Sequence, residues 1–512
     1  MILEPVIGLE IHLQLKTKTK MFCGCSAHDQ GAPPNSNVCP VCMGHPGVLP
    51  VPNAQAVRMG IMLGLALGCK IAPVSKFDRK NYFYPDLPKA YQISQFDLPV
   101  AYDGKLTVET PGGERPSFTI GIVRAHLEED AAKNVHDGSG KTLVDFNRGG
   151  TPLVETVTGP DFRTPQEAKA FLQELRLIAR TLGVSDADME KGNMRCDANI
   201  SLRQRDEAGH IVGAEFNPKT EIKNLNSFRH VERALEHEIQ RQTKLWNAGT
   251  PPAVSTTRGW NDAKQVTEEQ RVKESSQDYR YFPEPDIPAL ALVDLAEDVR
   301  RSMPELPSDK RRRLVEEYFL KPEDARQLCD DPALADFAER TFGELEAWLN
   351  ALPELDGAQQ EAWDAERKKL ARLVSTWILT KLLGALSERG GDVRTMHVTP
   401  ENFAELLTLI ATGKLNAGAG MTVLSAMLED GADPSHVMEE KRLGKLDDVA
   451  ALADTIDRVI AQNPAEAARY RGGDKKLIAF FIGQVMKATE GTADAKETRN
   501  LLAVKLDDVH AQ

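Results

Sequence analysis

The chain has 512 residues, of which 27% are charged and 41% are hydrophobic. A chain of this length is expected to form about three or four domains, and no apolar run approaches the roughly eighteen residues that a membrane-spanning helix needs. The formal net charge is -13, so contact with nucleic acid requires a local basic surface rather than an overall positive charge. The composition therefore predicts a soluble protein of several domains.

Four cysteines lie close together near the start of the chain: Cys23, Cys25, Cys39 and Cys42. Two closely spaced thiol pairs joined by a short loop can place four thiolates around one tetrahedral ion, which is the geometry of a structural zinc site. The alternative is a pair of disulfides, which needs an oxidising compartment. The opening sequence MILEPVIGLEIHLQL interleaves charged and apolar residues, unlike a signal peptide. The sequence therefore predicts a zinc loop at residues 22–44 and a cytoplasmic protein.

Three segments alternate apolar with polar residues, as β-strands with one buried face do. They are residues 9–15, 122–128 and 197–203. On the first strand the polar row is Glu10, His12 and Gln14, and on the second strand Val123, Ala125 and Leu127 are expected on the apolar side. A solvated sheet face is the alternative for any one strand. Three such rows together predict a shared polar cleft.

Two lysines stand in a loop rich in aromatic residues and proline, KNYFYPDLPKAYQISQ at residues 80–95. Such a loop is rigid, so Lys80 and Lys89 are expected to project from fixed positions, as a site for an anionic group requires. The alternative is a packed aromatic loop with solvated lysines.

Adjacent carboxylates at Glu128, Glu129 and Asp130 follow the second strand directly. Such carboxylates repel one another unless a cation joins them, and oxygen ligands suit Mg²⁺. A solvated edge is the alternative, and the polar row of the first strand strengthens the metal interpretation. The third strand adds Arg195 and Asp197. No phosphate-binding G-x-x-x-x-G-K-[ST] and no G-x-S-x-G motif occurs, so neither a P-loop nor that type of serine hydrolase is supported.

Helical patterns occur between the strands and dominate after them. Thr164 and Pro165 predict the start of a helix that ends near Gly183, and a second helix is expected from about 227 to 246. From about residue 290 onward only helical periodicity is evident. We therefore expect an α+β protein with a mixed α/β domain at 1–290, a helical domain at 291–399 and a helical tail domain at 400–512.

Ten segments of the chain carry a resemblance to a known family. In chain order they are VIGLEIHLQL, NVCPVCMGHPGVLPVPN, KNYFYPDLPKAYQISQ, HLEEDAAK, DFNRGGTPLVETVT, MRCDANISLR, EIKNLNSFR, TRGW, DYRYFPEPD and FFIGQVMKATEGTADAKETRNLL. The chain resembles, essentially from end to end, the B subunit of the tRNA-dependent glutamyl/aspartyl amidotransferase. Ala90 departs from the family pattern, in which a glycine is common at that position.

The resemblance implies a fold and an activity. The N-terminal domain would be a cradle-like catalytic domain built on a β-sheet, followed by a helical middle segment and a YqeY-like, tRNA-binding tail. The activity would be that of a ligase that forms carbon–nitrogen bonds with glutamine as the amide donor. This subunit would use ATP and Mg²⁺ to phosphorylate the side-chain carboxylate of Glu-tRNA(Gln) or Asp-tRNA(Asn), and ammonia would then displace phosphate. A glutaminase A subunit and a small C subunit would complete a heterotrimer.

The resemblance also suggests roles for the polar residues. The candidate shell for Mg²⁺ and ATP comprises Glu10, His12, Glu128 and Glu129. Lys80, Lys89 and Arg195 would contact phosphate or the substrate carboxylate, with Lys89 also near the exit of an ammonia tunnel. Asp197 would hold a second ion or accept a proton from ammonia. The competing interpretation is a non-catalytic, zinc-stapled scaffold that binds tRNA through basic residues of the tail, namely Arg469, Arg471, Lys475, Lys476 and Lys487.

Overall fold

The computed structural model divides into two compact units, Met1–Pro307 and Ser308–Gln512. It describes residues 2–28, 31–136, 138, 140–272, 278–350, 360–444, 449–489, 493 and 495–507. The α+β prediction is confirmed, because the first unit is built on a large sheet and the second is helical.

Seventeen strands and four helices form the described part of the first unit. The strands are β1 (Ile2–Gln14), β2 (Lys70–Ile71), β3 (Val74–Ser75), β4 (Asp78–Asn81), β5 (Tyr91–Ser94), β6 (Ala101–Glu109), β7 (Ser117–Glu129), β8 (Lys133–His136), β9 (Thr142–Asp145), β10 (Pro152–Thr158), β11 (Met194–Arg205), β12 (Ile211–Val212), β13 (Thr220–Leu225), β14 (Thr256–Asn261), β15 (Val266–Val272), β16 (Phe282–Pro283) and β17 (Leu290–Ala291). The helices are α1 (Ala54–Ala66), α2 (Pro165–Thr181), α3 (Phe228–Asn247) and α4 (Val293–Arg301).

The large sheet has the strand order β15-β14-β13-β11-β1-β10-β7-β6-β2, with β12 beside β11. All pairings in it are antiparallel except the parallel pair β13 and β14. The three predicted strands are confirmed as parts of β1, β7 and β11, and β10 lies between β1 and β7. Strands from distant parts of the sequence thus become neighbours at the centre of the sheet.

Helices cover the apolar face of the sheet. Ile7, Leu9, Ile11 and Leu13 of β1 are buried in one apolar cluster with residues of α1 and α2, which leaves Glu10, His12 and Gln14 on the opposite face. The predicted start of α2 is confirmed, because the Thr164 side chain accepts a hydrogen bond from the backbone N–H of Glu167 in a capping box.

The expectation that Val123 faces the apolar side is wrong. Its exposed fraction is 53%, whereas Ile122 is buried. The pairing between β7 and β10 is irregular at this point: Arg124 lies opposite Val157, but Ile122 lies opposite Thr158. An extra residue on one strand of such a pair is left outside the regular alternation, and here that residue is Val123.

The second unit is helical throughout its described residues. Its helices are α5 (Pro307–Tyr318), α6 (Pro322–Cys329), α7 (Pro332–Asn350), α8 (Gln360–Thr376), a π-helical turn (Trp377–Leu382), α9 (Leu383–Glu388), α10 (Pro400–Ala411), α11 (Ala417–Asp430), α12 (Pro434–Glu440), α13 (Val449–Gln462), α14 (Pro464–Arg471), a 3-10 turn (Lys475–Leu477), α15 (Ile478–Ala488) and α16 (Ala495–Asp507).

Two apolar clusters form the core of this unit. One extends from Leu314 to Leu443 and contains residues of α7 and α10 together. The other extends from Leu452 to Leu506. The domain limits at 290 and 400 stay predictions; the compact units meet at 307/308, and the first cluster includes residues on both sides of 400.

One described helical stretch, Asp364–Glu388, is long and apolar enough to cross a membrane by length and composition alone. The composition had predicted no such stretch. Its residues Val374, Ile378 and Leu382 are buried in the core of the second unit, as the apolar residues of a core helix are.

Candidate active site

Four charged or titratable side chains lie in one line across neighbouring strands at the centre of the large sheet. His12 on β1 lies opposite Arg195 on β11 and Glu155 on β10, and Glu155 lies opposite His126 on β7. Because side chains at the same register on neighbouring strands point to the same face, the four form a row. This row of four side chains lies at the centre of the predicted polar cleft.

The middle of this row is a compact cluster of two carboxylates and two imidazoles. Glu155 Oε2 lies 3.3 Å from Nε2 of both His12 and His126. Glu128, two residues beyond His126 on β7, places Oε1 3.3 Å from His12 Nε2. The Ser94 hydroxyl donates to Glu128 Oε2 at 3.2 Å. Glu128 is only 2% exposed, so it belongs to a buried cluster rather than to a solvated sheet face.

Each member of the cluster holds its neighbours in the charged form. Burial disfavours charge on His12, but hydrogen bonds to Glu128 and Glu155 outweigh it and raise the pKa of His12 to about 10. Burial acts likewise on His126, yet the charge of Glu155 raises its pKa above the ordinary value. Both carboxyl groups have lowered pKa values despite burial, Glu128 mainly through the hydrogen bond from His12 and Glu155 mainly through the charge of His126.

The cluster is suited to hold a divalent cation. The ligand atoms of His12, Glu128 and Glu155 all lie within 4.8 Å of one another. Two carboxylates that leave room for phosphate oxygens and water are a typical protein contribution to a Mg²⁺–nucleotide site. Imidazole is a more usual ligand of Zn²⁺ and similar metals, and His12 can bind a cation only after it releases the proton that it shares with the carboxylates. The two carboxylates therefore fit the predicted ion, and Glu155 is a member that the sequence did not indicate.

A cavity of about 290 Å³ opens beside the cluster. His12 and Glu128 line it together with three further predicted residues, Lys80, Arg195 and Asp197. The structure therefore brings five of the eight predicted cleft residues to one cavity.

The cations of this cavity are held by specific partners. Lys80 Nζ lies 5.0 Å from the ring centroid of Tyr279. Burial disfavours the Lys80 ammonium, but the charge of Glu128 raises the pKa above the ordinary value. Arg195 Nη2 lies 2.9 Å from Asp130 Oδ1. These contacts fix two positive charges at the edge of an acidic cluster, as binding of a polyanion requires.

Glu10, predicted to share an ion with Glu128, lies outside the His12–Glu128–Glu155 group, and its role stays a prediction. The residue opposite it on β10 is Val157, and the residue opposite it on β11 is Asp197. Glu10 Oε1 accepts a hydrogen bond from Asn199 Nδ2 at 3.0 Å. Glu10 thus lies on the same sheet face as His12, two residues before it on β1.

Glu129 and Lys89 lie in a different cavity, of about 220 Å³. Consecutive residues of a strand point to opposite faces, so Glu129 points away from the cleft that contains Glu128. Its carboxylate pairs with the Lys89 ammonium and accepts a hydrogen bond from the backbone N–H of Ile93 at 2.9 Å. Cys23 and Cys42 line the same cavity.

Glu155 was not among the predicted site residues, because its segment PLVETVT has the pattern of a buried, mainly apolar strand. The position of Glu155 in the sequence could have indicated a role. Burying a single carboxylate in an apolar strand costs free energy unless the carboxylate is paired or binds a cation.

The four cysteines of the predicted zinc loop come together in the structure. Their sulfur atoms all lie within 4.8 Å of one another; residues 29 and 30 of the loop lie outside the described part. The hydrogen bond between Cys23 and Cys42 lowers the pKa of Cys42 to about 4 and raises that of Cys23, and burial raises the pKa of Cys25 to about 11. Four thiolates at this separation need a cation, and the set fits a closed zinc site.

Comparison with known proteins matches both halves of the chain. A family model described as the GatB/GatE catalytic domain matches residues 5–296. A second, described as a GatB domain, matches residues 361–506. Two relatives of this chain are aspartyl/glutamyl-tRNA(Asn/Gln) amidotransferase B subunits. The one from Thermodesulfovibrio yellowstonii is 45% identical to this chain and the one from Thermomicrobium roseum is 46% identical, and each comparison covers 98% of this chain and 98% of the relative. The chain belongs to the family of amidotransferase B subunits. In Thermotoga maritima the B subunit is 43% identical over 98% of this chain and 99% of its own.

The B-subunit family is therefore the one that the ten sequence segments had suggested. Its catalytic-domain match contains the His12–Glu128–Glu155 cluster, both cavities and the four cysteines. Membership identifies the chain as a subunit of a glutamine-dependent carbon–nitrogen ligase.

Proposed function

We propose that this subunit phosphorylates the side-chain carboxylate of glutamate on tRNA(Gln), of aspartate on tRNA(Asn), or of both, and then amidates it. One carboxylate oxygen attacks the γ-phosphorus of ATP and ADP leaves. Ammonia then attacks the acyl carbon, phosphate leaves and one proton is released. The observation that carries the proposal is the buried His12–Glu128–Glu155 cluster, which faces a cavity with Lys80 and Arg195.

His12, Glu128 and Glu155 would hold Mg²⁺ for this reaction. When bound, the ion neutralises charge on the ATP phosphates and on oxygens that become more negative during transfer. The Ser94 hydroxyl donates a hydrogen bond to Glu128, and the His126 imidazole contacts Glu155. Such contacts commonly hold metal ligands in a fixed orientation. Glu10, which accepts a hydrogen bond from Asn199, remains a candidate for the Mg²⁺ and ATP shell.

Lys80 and Arg195 would position the anionic reactants. Both line the cavity, and both have pKa values above the ordinary ones, so they stay cationic at neutral pH. The Lys80 ammonium is a compact point charge, which suits a single phosphate oxygen, whereas the planar Arg195 guanidinium can bind the two oxygens of a carboxylate or a phosphate through two N–H groups. Asp197, paired with Lys223 at 2.6 Å, would accept the proton that ammonia loses as it attacks the acyl carbon.

The second cavity supports a separate role for Lys89 and Glu129. Their ion pair lies on the other side of β7 from Glu128, so neither residue is placed to bind ATP with the cluster. We assign this pair to the route by which ammonia reaches the cleft. The ammonia would come from a glutaminase A subunit, and a small C subunit would complete the heterotrimer.

The remaining parts of the proposal concern zinc, tRNA and location. The four-cysteine loop would bind structural Zn²⁺. The tail would bind tRNA through Arg469, Arg471, Lys475, Lys476 and Lys487, and the enzyme would act in the cytoplasm with the translation machinery. A non-catalytic scaffold has no need for a buried cluster of carboxylates and imidazoles beside two fixed cations.

The test is to mix the protein with its partner subunits, ATP, Mg²⁺ and Glu-tRNA(Gln) in the absence of glutamine and ammonia. We expect a γ-glutamyl phosphate on the tRNA that depends on ATP and converts to Gln-tRNA(Gln) when ammonium is added. A complex that amidates the tRNA without forming any phosphorylated glutamate would contradict the proposal.

A further inference from the structure

Lys20 carries an ammonium group that is buried beside the four-cysteine loop. Its exposed fraction is 1%, and it is among the largest fully buried side chains of the chain. Its Nζ donates to the backbone carbonyl oxygens of Asn37 at 2.9 Å and Phe146 at 3.4 Å. Its third contact is the sulfur of Cys42 at 3.8 Å. The three hydrogen-bonding positions of the ammonium are therefore directed at two carbonyl groups and a cysteine.

The positive charge of Lys20 has no carboxylate partner among the described residues. None of the ion pairs found in that part of the chain, with nitrogen and oxygen within 4.0 Å, involves Lys20. Carbonyl oxygens satisfy the hydrogen bonds of an ammonium group but do not neutralise its charge. A buried, unneutralised charge costs several kcal/mol, so an anion is expected beside it. The adjacent groups that can supply one are the cysteine sulfurs.

The surroundings of Lys20 are shaped for its side chain. Gly150 has a φ of +89°, and a Cβ built there would lie 3.3 Å from Lys20 Cδ and 3.7 Å from Cys42 Cβ. A side chain at position 150 would therefore crowd the Lys20 stem and the cysteine together. The glycine therefore leaves room for the Lys20 stem beside Cys42.

We propose that Lys20 is the counter-charge of the metal centre formed by the four cysteines. Four thiolates and one divalent ion leave two negative charges in a partly buried site, and the Lys20 ammonium offsets one of them while it hydrogen-bonds Cys42. This inference rests on the proposed zinc site. It makes Lys20 a positioning residue that raises metal affinity, although it is not itself a ligand.

The test compares zinc affinity in three full-length proteins: wild type, Lys20→Met and Lys18→Met. Methionine has a stem of similar length but no charge. Lys18 is the matched control, since it is a lysine two residues away whose side chain is exposed. Zinc affinity is measured by competition with a chromogenic chelator. Loss of a group that supports a metal ligand commonly lowers affinity about 10–100-fold, and we expect this loss in Lys20→Met and wild-type affinity in Lys18→Met.

A second measurement separates the counter-charge from a purely structural role. Urea unfolding is followed with zinc bound and with zinc removed. The counter-charge predicts that Lys20→Met lowers the unfolding free energy of the zinc-bound protein more than that of the metal-free protein, because the ammonium offsets the charge of the zinc–thiolate centre only when zinc is bound. Equal destabilisation of both forms, or a variant that does not fold in either, indicates a structural lysine and overturns the proposal.

The outcomes for zinc and for Lys20 are distinguishable. Wild-type protein that binds no zinc overturns the zinc assignment and this proposal together. Wild-type protein that binds zinc, with a Lys20→Met affinity within about twofold of it, overturns only the counter-charge.

Discussion

Replacing Glu155 with glutamine tests the cluster at its centre. The change keeps the size and polarity of the side chain and removes one of the two negative charges that face His12 and His126. Each contact between Glu155 and an imidazole is 3.3 Å long, and at an effective dielectric constant of about 20 two unit charges at that separation attract by about 5 kcal/mol. One imidazole can release its proton in response, so the expected loss of folding free energy is about 3–5 kcal/mol, as for other broken buried pairs.

The effect on the reaction is expected to exceed what the loss of stability explains. With one carboxylate of the proposed Mg²⁺ shell removed, phosphorylation of Glu-tRNA(Gln) should fall on the order of 100-fold, or about 2.7 kcal/mol in activation free energy. The Mg²⁺ concentration that gives half the maximal rate should rise. Glutamine hydrolysis by the partner subunit should change little.

The assay uses the assembled complex, after circular dichroism and gel filtration have shown that the variant folds and assembles. Glu114→Gln is the matched control, because Glu114 is an exposed carboxylate in the turn between β6 and β7. It should keep the wild-type rate and Mg²⁺ dependence. If Glu155→Gln also kept both, Glu155 would be a structural residue and the metal assignment would be wrong.

Three further predictions follow from particular residues. In protein freed of divalent cations with EDTA, the pKa of His12 is raised to about 10. Its ion pairs then stabilise the fold fully below pH about 6.5 and progressively less as pH rises toward 10. His12→Gln should therefore flatten the fall in urea-unfolding free energy between pH 7 and 10 in EDTA, and an unchanged slope would contradict this. Ala90 has a φ of +62°, so Ala90→Gly should raise the unfolding free energy by about 0.5–1 kcal/mol, whereas the same change at buried, helical Ala168 should lower it. A chain that ends at Leu443 keeps the whole first apolar cluster of the second unit, so its residues after 307 should resist limited proteolysis. A chain that ends at residue 399 loses α10 from that cluster, so its residues after 307 should be cleaved readily while the first unit stays resistant; equal resistance in both chains would contradict this.

The fold could be predicted from sequence where a local pattern determines it. The alternation along residues 9–15 gave a strand with His12 on its polar side, and Thr164 gave the start of α2. Pairing between strands is not a local property. Nothing in the sequence states that β10 lies between β1 and β7, so Glu155 could not be placed between His12 and His126.

The grouping of the candidate site residues has the same origin. Glu10 and His12 share a face, but His12 has Glu155 opposite it on β10, whereas Glu10 has Val157 there and Asp197 on β11. Glu128 and Glu129 are adjacent in sequence, yet the alternation of a strand sends them to separate cavities. The alternation along the three strands predicted carboxylates and imidazoles on one polar face, whereas the register between strands decides which of them meet.

The central claim is that the cleft transfers the γ-phosphoryl group of ATP to the side-chain carboxylate of the aminoacyl group. The most direct test uses Glu-tRNA(Gln) whose side-chain carboxylate carries ¹⁸O in both oxygens, with unlabelled ATP and ammonium in the complete enzyme. If phosphate leaves from an acyl phosphate, each phosphate released with an amidation carries one ¹⁸O and each new amide retains the other. Amidation that releases only unlabelled phosphate would show that the carboxylate is never phosphorylated, and would contradict the account.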